Sequence, residues 1–248
     1  NFNVPPDLSF AVQTRILGKQ SLKVYDINRE LSDRYTAAGR ILDVRAPKRI
    51  ISIVVKERAY LGISSPEENL SDWAGGRIRF YKGEEQISRA EFKLEEAIKC
   101  TNVQILPQSR VLDLGAAPGG WSRIALERGA EVTAVDPAEL DKRLKGRPGL
   151  KHIQDTAQNF VKRSEQSFDL LLNDMRMDAA ESAALTNLCA PMLLEGGFAL
   201  ITLKLTGNNP LKQINDAEKV LLKCYELVGA RQLFHNRSEI TVLLKRLP

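Results

Sequence analysis

Four charged residues interrupt stretches that are otherwise apolar: Lys93 in Ser88-Arg-Ala-Glu-Phe-Lys-Leu94, Asp174 closing Leu170-Leu-Leu-Asn-Asp174, Lys204 in Ile201-Thr-Leu-Lys-Leu205, and Glu239 in Arg237-Ser-Glu-Ile-Thr-Val242. Burying any of them without a partner is costly, so two lysines and two carboxylates in such settings imply pairing. Taken singly, each is more readily a strand-end charge turned to solvent or an ordinary ion pair. Taken together they can do chemistry. A lysine whose pKa is lowered by burial or by a second cation takes a proton from a poor nucleophile such as an alcohol.

A second feature has the look of a ligand loop. Asp113-Leu-Gly-Ala-Ala-Pro-Gly-Gly-Trp-Ser122 follows an apolar run and opens a helix, and ligands of doubly wound sheets sit at such a strand end, against a helix N-terminus. After Gly115 the next glycines are Gly119 and Gly120, so neither the dinucleotide fingerprint nor the phosphate loop is present. Glycine at 119 and 120 is expected to let the backbone approach a ligand closely. Asp113 on this strand and Asp136 at the end of the next suit a ligand with an amine and a ribose diol. S-adenosylmethionine has both. A glycine turn serving only tight strand-to-helix packing is the alternative.

These residues need elements to hold them. Ser88 and Glu91 form a capping box, and Ile87 with Phe92 a hydrophobic staple, so a helix is expected from Ser88 that carries Lys93. Strands are expected over 110–114, 131–135, 151–154, 168–172 and 198–203, with helices over 121–128, 179–193 and 211–227. This alternation predicts a parallel, doubly wound α/β sheet. Two closing strands, 230–234 and 240–245, are too close for a crossover and must pair antiparallel. Asp174 and Lys204 then end parallel strands and Glu239 begins an antiparallel one, so topology alone brings these three to the edge where the glycine loop lies. Ahead of this, a strand over 8–16, a helix with Val24, Ile27 and Leu31 on one face, and a hairpin of 50–55 with 59–63 make a small α+β module. Ser, Pro and Gly concentrate between 64 and 83 and mark a linker.

The loop resembles motif I of the FtsJ-like ribose 2′-O-methyltransferases, and Lys93, Asp174, Lys204 and Glu239 resemble that family's Lys-Asp-Lys-Glu tetrad in order and local motif. The resemblance implies a Rossmann-like class I methyltransferase with an antiparallel final strand, S-adenosylmethionine as cofactor and no metal. It makes Lys204 the base, Lys93 the second cation, and Asp174 and Glu239 the groups that orient the ammoniums. Cofactor contacts are implied for Ser88, Asp113, Gly115, Ala116, Ala117, Pro118, Gly119, Gly120, Trp121, Asp136, Asp155 and Asp174, with Asp155 resting on the short motif Ile153-Gln-Asp155. Trp121 is expected to serve the ligand rather than packing. Asp174-Met-Arg-Met177 departs from the family's usual Asp-Met-Ala-Pro. Gln232-Leu-Phe-His-Asn-Arg-Ser-Glu239 and Lys93-Leu-Glu-Glu-Ala97 resemble instead a THUMP-bearing branch that ribose-methylates a cytidine of large-subunit ribosomal RNA. Phe10-Ala-Val-Gln-Thr-Arg15, Gly18-Lys19 and Ala59-Tyr-Leu-Gly-Ile63 resemble a THUMP RNA-binding domain. The expected organisation is therefore a THUMP-like domain over 1–72, a linker over 73–86 and the methyltransferase domain over 87–248.

Composition is ordinary for a soluble globular protein, and its mild excess of basic residues favours a polyanionic partner without deciding one. The 248 residues are 43% hydrophobic and 27% charged, with a net charge of +5, which excludes disordered and fibrous classes. Residues 40–58 hold six basic residues (Arg40, Arg45, Lys48, Arg49, Lys56, Arg58) against Asp43 and Glu57, equally a solvated edge or a nucleic-acid face. Cys100, Cys189 and Cys224 suit neither a disulfide framework nor zinc, and reduced thiols with no leader after Asn1 predict a cytoplasmic protein. A further domain is expected upstream, as in that branch. A monomer is expected, with RNA as partner and no membrane. His152 and His235 are read as structural or solvated, and Trp73 as a packing anchor. Competing readings are a transfer-RNA 2′-O-methyltransferase and a catalytically silent RNA-binding protein. Base methylation is disfavoured by the tetrad and by the lack of an Asn-Pro-Pro-Tyr motif.

Overall fold

The computed structural model describes residues 4–69, 80 and 86–248, in two compact units, Asn1–Phe80 and Tyr81–Pro248. In the first, β1 (Phe10–Ile16), α1 (Val24–Ala37), β2 (Arg49–Val55) and β3 (Ala59–Ser64) form a sheet in the order β1-β2-β3. β1 and β2 are parallel, so α1 is their crossover, and β2 turns back into β3 as the expected hairpin. Phe10, Val12, Ile51 and Ile53 make a small core against which Ile27, Leu31 and Tyr35 of α1 pack, a four-residue repeat that puts one stripe of the helix on the sheet. In the basic stretch Asp43 accepts the backbone N–H groups of Ala46 and Arg45 at 3.0 and 2.9 Å, which hold its carboxyl below the usual range. Trp73 and most of the expected linker lie outside the described residues.

The second unit carries α2 (Ala90–Thr101), β4 (Arg110–Leu114), α3 (Gly120–Glu127), β5 (Glu131–Val135), β6 (Leu150–Ile153), α4 (Ala157–Arg163), β7 (Phe168–Asn173), α5 (Ala179–Cys189), β8 (Leu193–Lys204), α6 (Pro210–Leu221), β9 (Tyr225–Arg231) and β10 (Glu239–Arg246). The sheet order is β6-β5-β4-β7-β8-β10-β9. β4 to β8 are parallel, and β10 is antiparallel to both β8 and β9. Central strands are almost continuously apolar because helices cover both faces. Leu112, Leu114, Leu171 and Ile201 join one core with residues of α4, α5 and α6; Val111, Leu170, Leu172 and Leu200 join another with residues of α2 and α3. Strand order reverses between β4 and β7, so the loops leaving these two strands diverge at the carboxyl edge and open a crevice there.

Several boundaries differ from expectation. The last helix stops at Leu221, and the strand expected over 230–234 lies at Tyr225–Arg231. Leu221, Leu222, Tyr225 and Leu227 satisfy a helical repeat, but Tyr225 is buried with its hydroxyl donating to the Thr186 carbonyl at 2.7 Å, and Leu227 stands opposite Leu244 in the ladder. α5 ends at Cys189 because Pro191 follows within a 3-10 turn, and β8 consequently starts at Leu193. α4 was not anticipated; of its seven residues only Ala157 and Phe160 are buried.

Candidate active site

α2, the loop after β7, the end of β8 and the start of β10 bring Lys93, Asp174, Lys204 and Glu239 together. Lys93 Nζ lies 3.1 Å from both Asp174 carboxylate oxygens and 2.5 Å from Glu239 Oε1. Lys204 Nζ is held more loosely, 3.3 Å from Asp174 Oδ1 and from the Asp174 carbonyl, and 3.7 Å from Glu239 Oε2. Each ammonium thus touches both carboxylates, and the four charges sum to zero. Register enforces half of this, because Glu239 and Lys204 are direct partners in the β10–β8 ladder. Thr202, one pleat back on β8, donates its hydroxyl to Asp174 Oδ1 at 2.7 Å. The four side chains are 9–18% exposed, dry enough to strengthen the pairing and open enough to meet a substrate. They line a cleft of about 1700 Å³ whose walls also include Ser88, the 115–118 loop and Asp136.

On the loop side the details differ from the sequence reading. α2 begins at Ala90 rather than Ser88, and only half of the capping box forms: Glu91 accepts the backbone N–H groups of Ile87 and Ser88, at 2.6 and 3.1 Å. The Ser88 hydroxyl is buried with no hydrogen-bond partner among the described residues. Glycine at 119 and 120 makes room for neighbouring side chains, and Gly120 also lines the cleft. A Cβ on Gly119, at φ +106°, would stand 2.2 Å from Leu144 Cδ1, and one on Gly120 would stand 2.3 Å from Ser88 Oγ. Gly119 does not line the cleft. Asp113 is 2% exposed and accepts the Ser122 hydroxyl at 2.6 Å, tying β4 to α3. Burial pushes its carboxyl up to about 7, with Asp174 adding to the rise against that hydrogen bond. Asp136 accepts the Ala117 and Ala138 N–H groups at 3.1 and 2.8 Å, fixing the loop over the end of β5. Trp121 lines the cleft yet is 4% exposed, and its indole N–H donates to the Ala90 carbonyl at 2.7 Å, so it also packs α3 onto α2.

Asp155 is not part of this constellation. It lines a separate depression with Phe160 and Arg163, accepts from the Asn159 amide and the Thr156 N–H, and pairs with Arg163. The Asn159 contact leads in holding its carboxyl below the usual range. Conversely, of two buried carboxylates of α2, Glu96 escaped the sequence reading as a structural anchor and Glu91 was read only as a capping residue. Glu91 pairs with Arg123 of α3 at 2.5 Å. Glu96 accepts the Phe234 and His235 N–H groups at 2.7 and 3.0 Å and His235 Nδ1 at 2.7 Å. Their signal was an acidic residue three positions before Leu94 and another two positions after it, on a helix that must bury a face.

The FtsJ-like methyltransferase family model matches residues 86–235. The chain belongs to the FtsJ-like methyltransferase family. Among its relatives are proteins named "Ribosomal RNA large subunit methyltransferase M": from Azotobacter vinelandii, 32% identical over 229 residues, 85% of this chain and 62% of that protein; from Halorhodospira halophila, 34% over 180 residues, 71% and 52%; and from Pseudomonas syringae pv. syringae, 30% over 268 residues, 94% and 71%. The chain thus spans about half to two thirds of the length of the first two. Solved structures of similar fold include a putative hemolysin from Streptococcus thermophilus, TM-score 0.57, 20% identity, 71% of this chain and 73% of that one. The Methanococcus jannaschii fibrillarin pre-rRNA processing protein has TM-score 0.51 and 15% identity over 82% and 84%. Family membership implies S-adenosylmethionine as cofactor, and the loop fits it: an unpartnered buried hydroxyl at Ser88, a buried carboxyl at Asp113 and an ordered carboxylate at Asp136 border one cleft.

Proposed function

We propose that this protein methylates a ribose 2′-hydroxyl of RNA, on a cytidine of the large ribosomal subunit. The observation that carries this reading is the closed Lys93-Asp174-Lys204-Glu239 set, gathered from α2, the ends of β7 and β8 and the start of β10. Ser88, the 115–118 loop and Asp136 would hold S-adenosylmethionine, which supplies an electrophilic methyl group when bound. Lys204, with the longer carboxylate contacts, would act as the neutral amine: its Nζ takes the proton of the 2′-hydroxyl as the O–C bond forms and the methyl's bond to the sulfonium sulfur breaks, which returns the four-residue set to zero charge. Lys93, in three short contacts, stays as the fixed cation paired with Asp174 and Glu239. Thr202 and the β10–β8 ladder keep those carboxylates in place, so orientation costs nothing at the moment of transfer. For the substrate, support comes from the relatives' name and from the closing motif 232–239. The βαββ unit with its basic 40–58 stretch is the RNA-holding module of THUMP type, joined by a linker over 73–86. Among the described residues no helix is long and apolar enough to cross a membrane, and no cluster could hold a metal ion.

The test is transfer of labelled methyl from S-adenosylmethionine to total RNA from cells lacking the protein, followed by nuclease digestion and mass analysis. The reading requires 2′-O-methylcytidine in large-subunit RNA. A signal confined to transfer RNA would replace the substrate, and cofactor binding without transfer to any RNA would support a silent binding protein.

A further inference from the structure

The wall of the cleft beyond the tetrad is aromatic and held rigidly. Phe92 and His235 rings lie 5.4 Å apart, and Phe234 meets His235 edge-on at 5.1 Å; all three line the cleft. Phe92 stands on α2, and the loop that presents Phe234 and His235 is anchored. Glu96, 2% exposed, takes two consecutive backbone N–H groups and the imidazole of this loop, and five residues later Glu239 is fastened to Lys93. Phe234 nevertheless remains 40% exposed on this fixed segment. Arg176 and Arg237 line the same cleft, exposed, and neither forms an ion pair among the described residues. Every cation of the tetrad is neutralised, whereas these two leave positive charge at the mouth.

Resting on the function proposed above, we infer that the ring of Phe234, braced edge-on by His235 with Phe92 behind it, stacks the base of the nucleotide being methylated. Arg176 and Arg237 take the flanking phosphates. Phosphate contacts position RNA and carry no sequence information, but an aromatic face beside the reacting ribose can be reached only by a base that has left its stack. The substrate is therefore a nucleotide in a loop, bulge or opened helix, not one in an intact duplex. Glu96 is a positioning residue, acting through the loop it holds.

The test uses Phe234→Ala, Phe234→Leu and Phe234→Trp in the full chain, with S-adenosylmethionine affinity as a control for folding. Steady-state methyl transfer to a large-subunit ribosomal RNA transcript is measured for each. Stacking on an aromatic face predicts kcat/KM roughly 10- to 100-fold lower for Phe234→Ala, partial loss for Phe234→Leu, near-full activity for Phe234→Trp, and cofactor affinity unchanged throughout. Wild-type kcat/KM in Phe234→Ala, or equal loss in all three variants, overturns the stacking role while leaving the proposed reaction intact. If the wild type transfers nothing to the transcript, it is the reaction that fails. The wall is then tested by fluorescence quenching of a single-stranded RNA 12-mer containing 2-aminopurine: quenching kept by Phe234→Trp and lost in Phe234→Ala supports it, and no quenching by the wild type refutes it.

Discussion

The tetrad and the glycine loop line one cleft but treat buried charge in opposite ways. In the tetrad two ammoniums and two carboxylates satisfy one another at 2.5–3.7 Å, so the protein alone closes the account of charge. On the loop side the Ser88 hydroxyl has no partner among the described residues, and Asp113 has one hydroxyl in a setting that pushes its carboxyl up to about 7. The first region is arranged for a step in which a proton moves among groups already in place. The second sets a buried hydroxyl and a buried carboxyl beside the cleft, groups that a ligand with donors and positive charge would satisfy.

The sharpest way to break this contrast is to remove one charge from the closed set. Lys204→Ala should lower methyl transfer by roughly 10²- to 10⁴-fold, the usual contribution of a positioned base, with cofactor affinity changed less than threefold; steady-state kinetics beside calorimetry checks both. Next in size is a pH effect at Asp113. Between about pH 4 and 7 the folded protein holds a proton there that the unfolded chain has released, so stability falls as pH rises through this window, by up to about 4 kcal/mol. Asp113→Asn should abolish that slope in denaturant titrations at pH 5 and pH 8, making the variant more stable than wild type at the higher pH. An unchanged slope would mean that Asp113 is not the group responsible.

Smaller effects sharpen the loop side. Ser88→Ala should leave stability unchanged or slightly raised, because it removes an unpartnered buried hydroxyl, while weakening S-adenosylmethionine by about 3- to 10-fold, the worth of one hydrogen bond. Tighter cofactor binding by this variant would show that the hydroxyl does not face the ligand. Smallest of all, Asp155→Asn should leave cofactor affinity within twofold of wild type. Its carboxylate is taken up by Asn159, Thr156 and Arg163, away from the cleft.

How much of this could be read in advance follows the same division. β4 and β5 were legible because Val111 to Leu114 and Val132 to Val135 are buried on both faces and end at glycine or aspartate. Tetrad members stood out as charges inside apolar text, and strand direction alone gathers three of them. β9 was misread because Leu221, Leu222, Tyr225 and Leu227 fit a helix as well as a strand, and the choice is made by the Tyr225 hydroxyl on Thr186, a contact 39 residues away. Ser88 looked like a helix cap; that its hydroxyl is left over depends on Gly120 packing against it. Glu96 carried no role in the sequence, because the 234–235 backbone that closes on it lies 138 residues away. Pairing of charges is partly written in local patterns, whereas which polar groups stay unpartnered and which become anchors depends on what distant parts of the chain bring to them.

The most direct test of the central claim replaces the acceptor itself. Once the methylated nucleotide has been located, a large-subunit RNA fragment is prepared with hydrogen in place of the 2′-hydroxyl at that position alone, and methyl transfer is compared with the unmodified fragment. Ribose methylation served by the Lys93-Asp174-Lys204-Glu239 set predicts that transfer disappears while binding of the fragment persists. Undiminished transfer to the deoxy fragment would put the methyl group on the base and contradict the account.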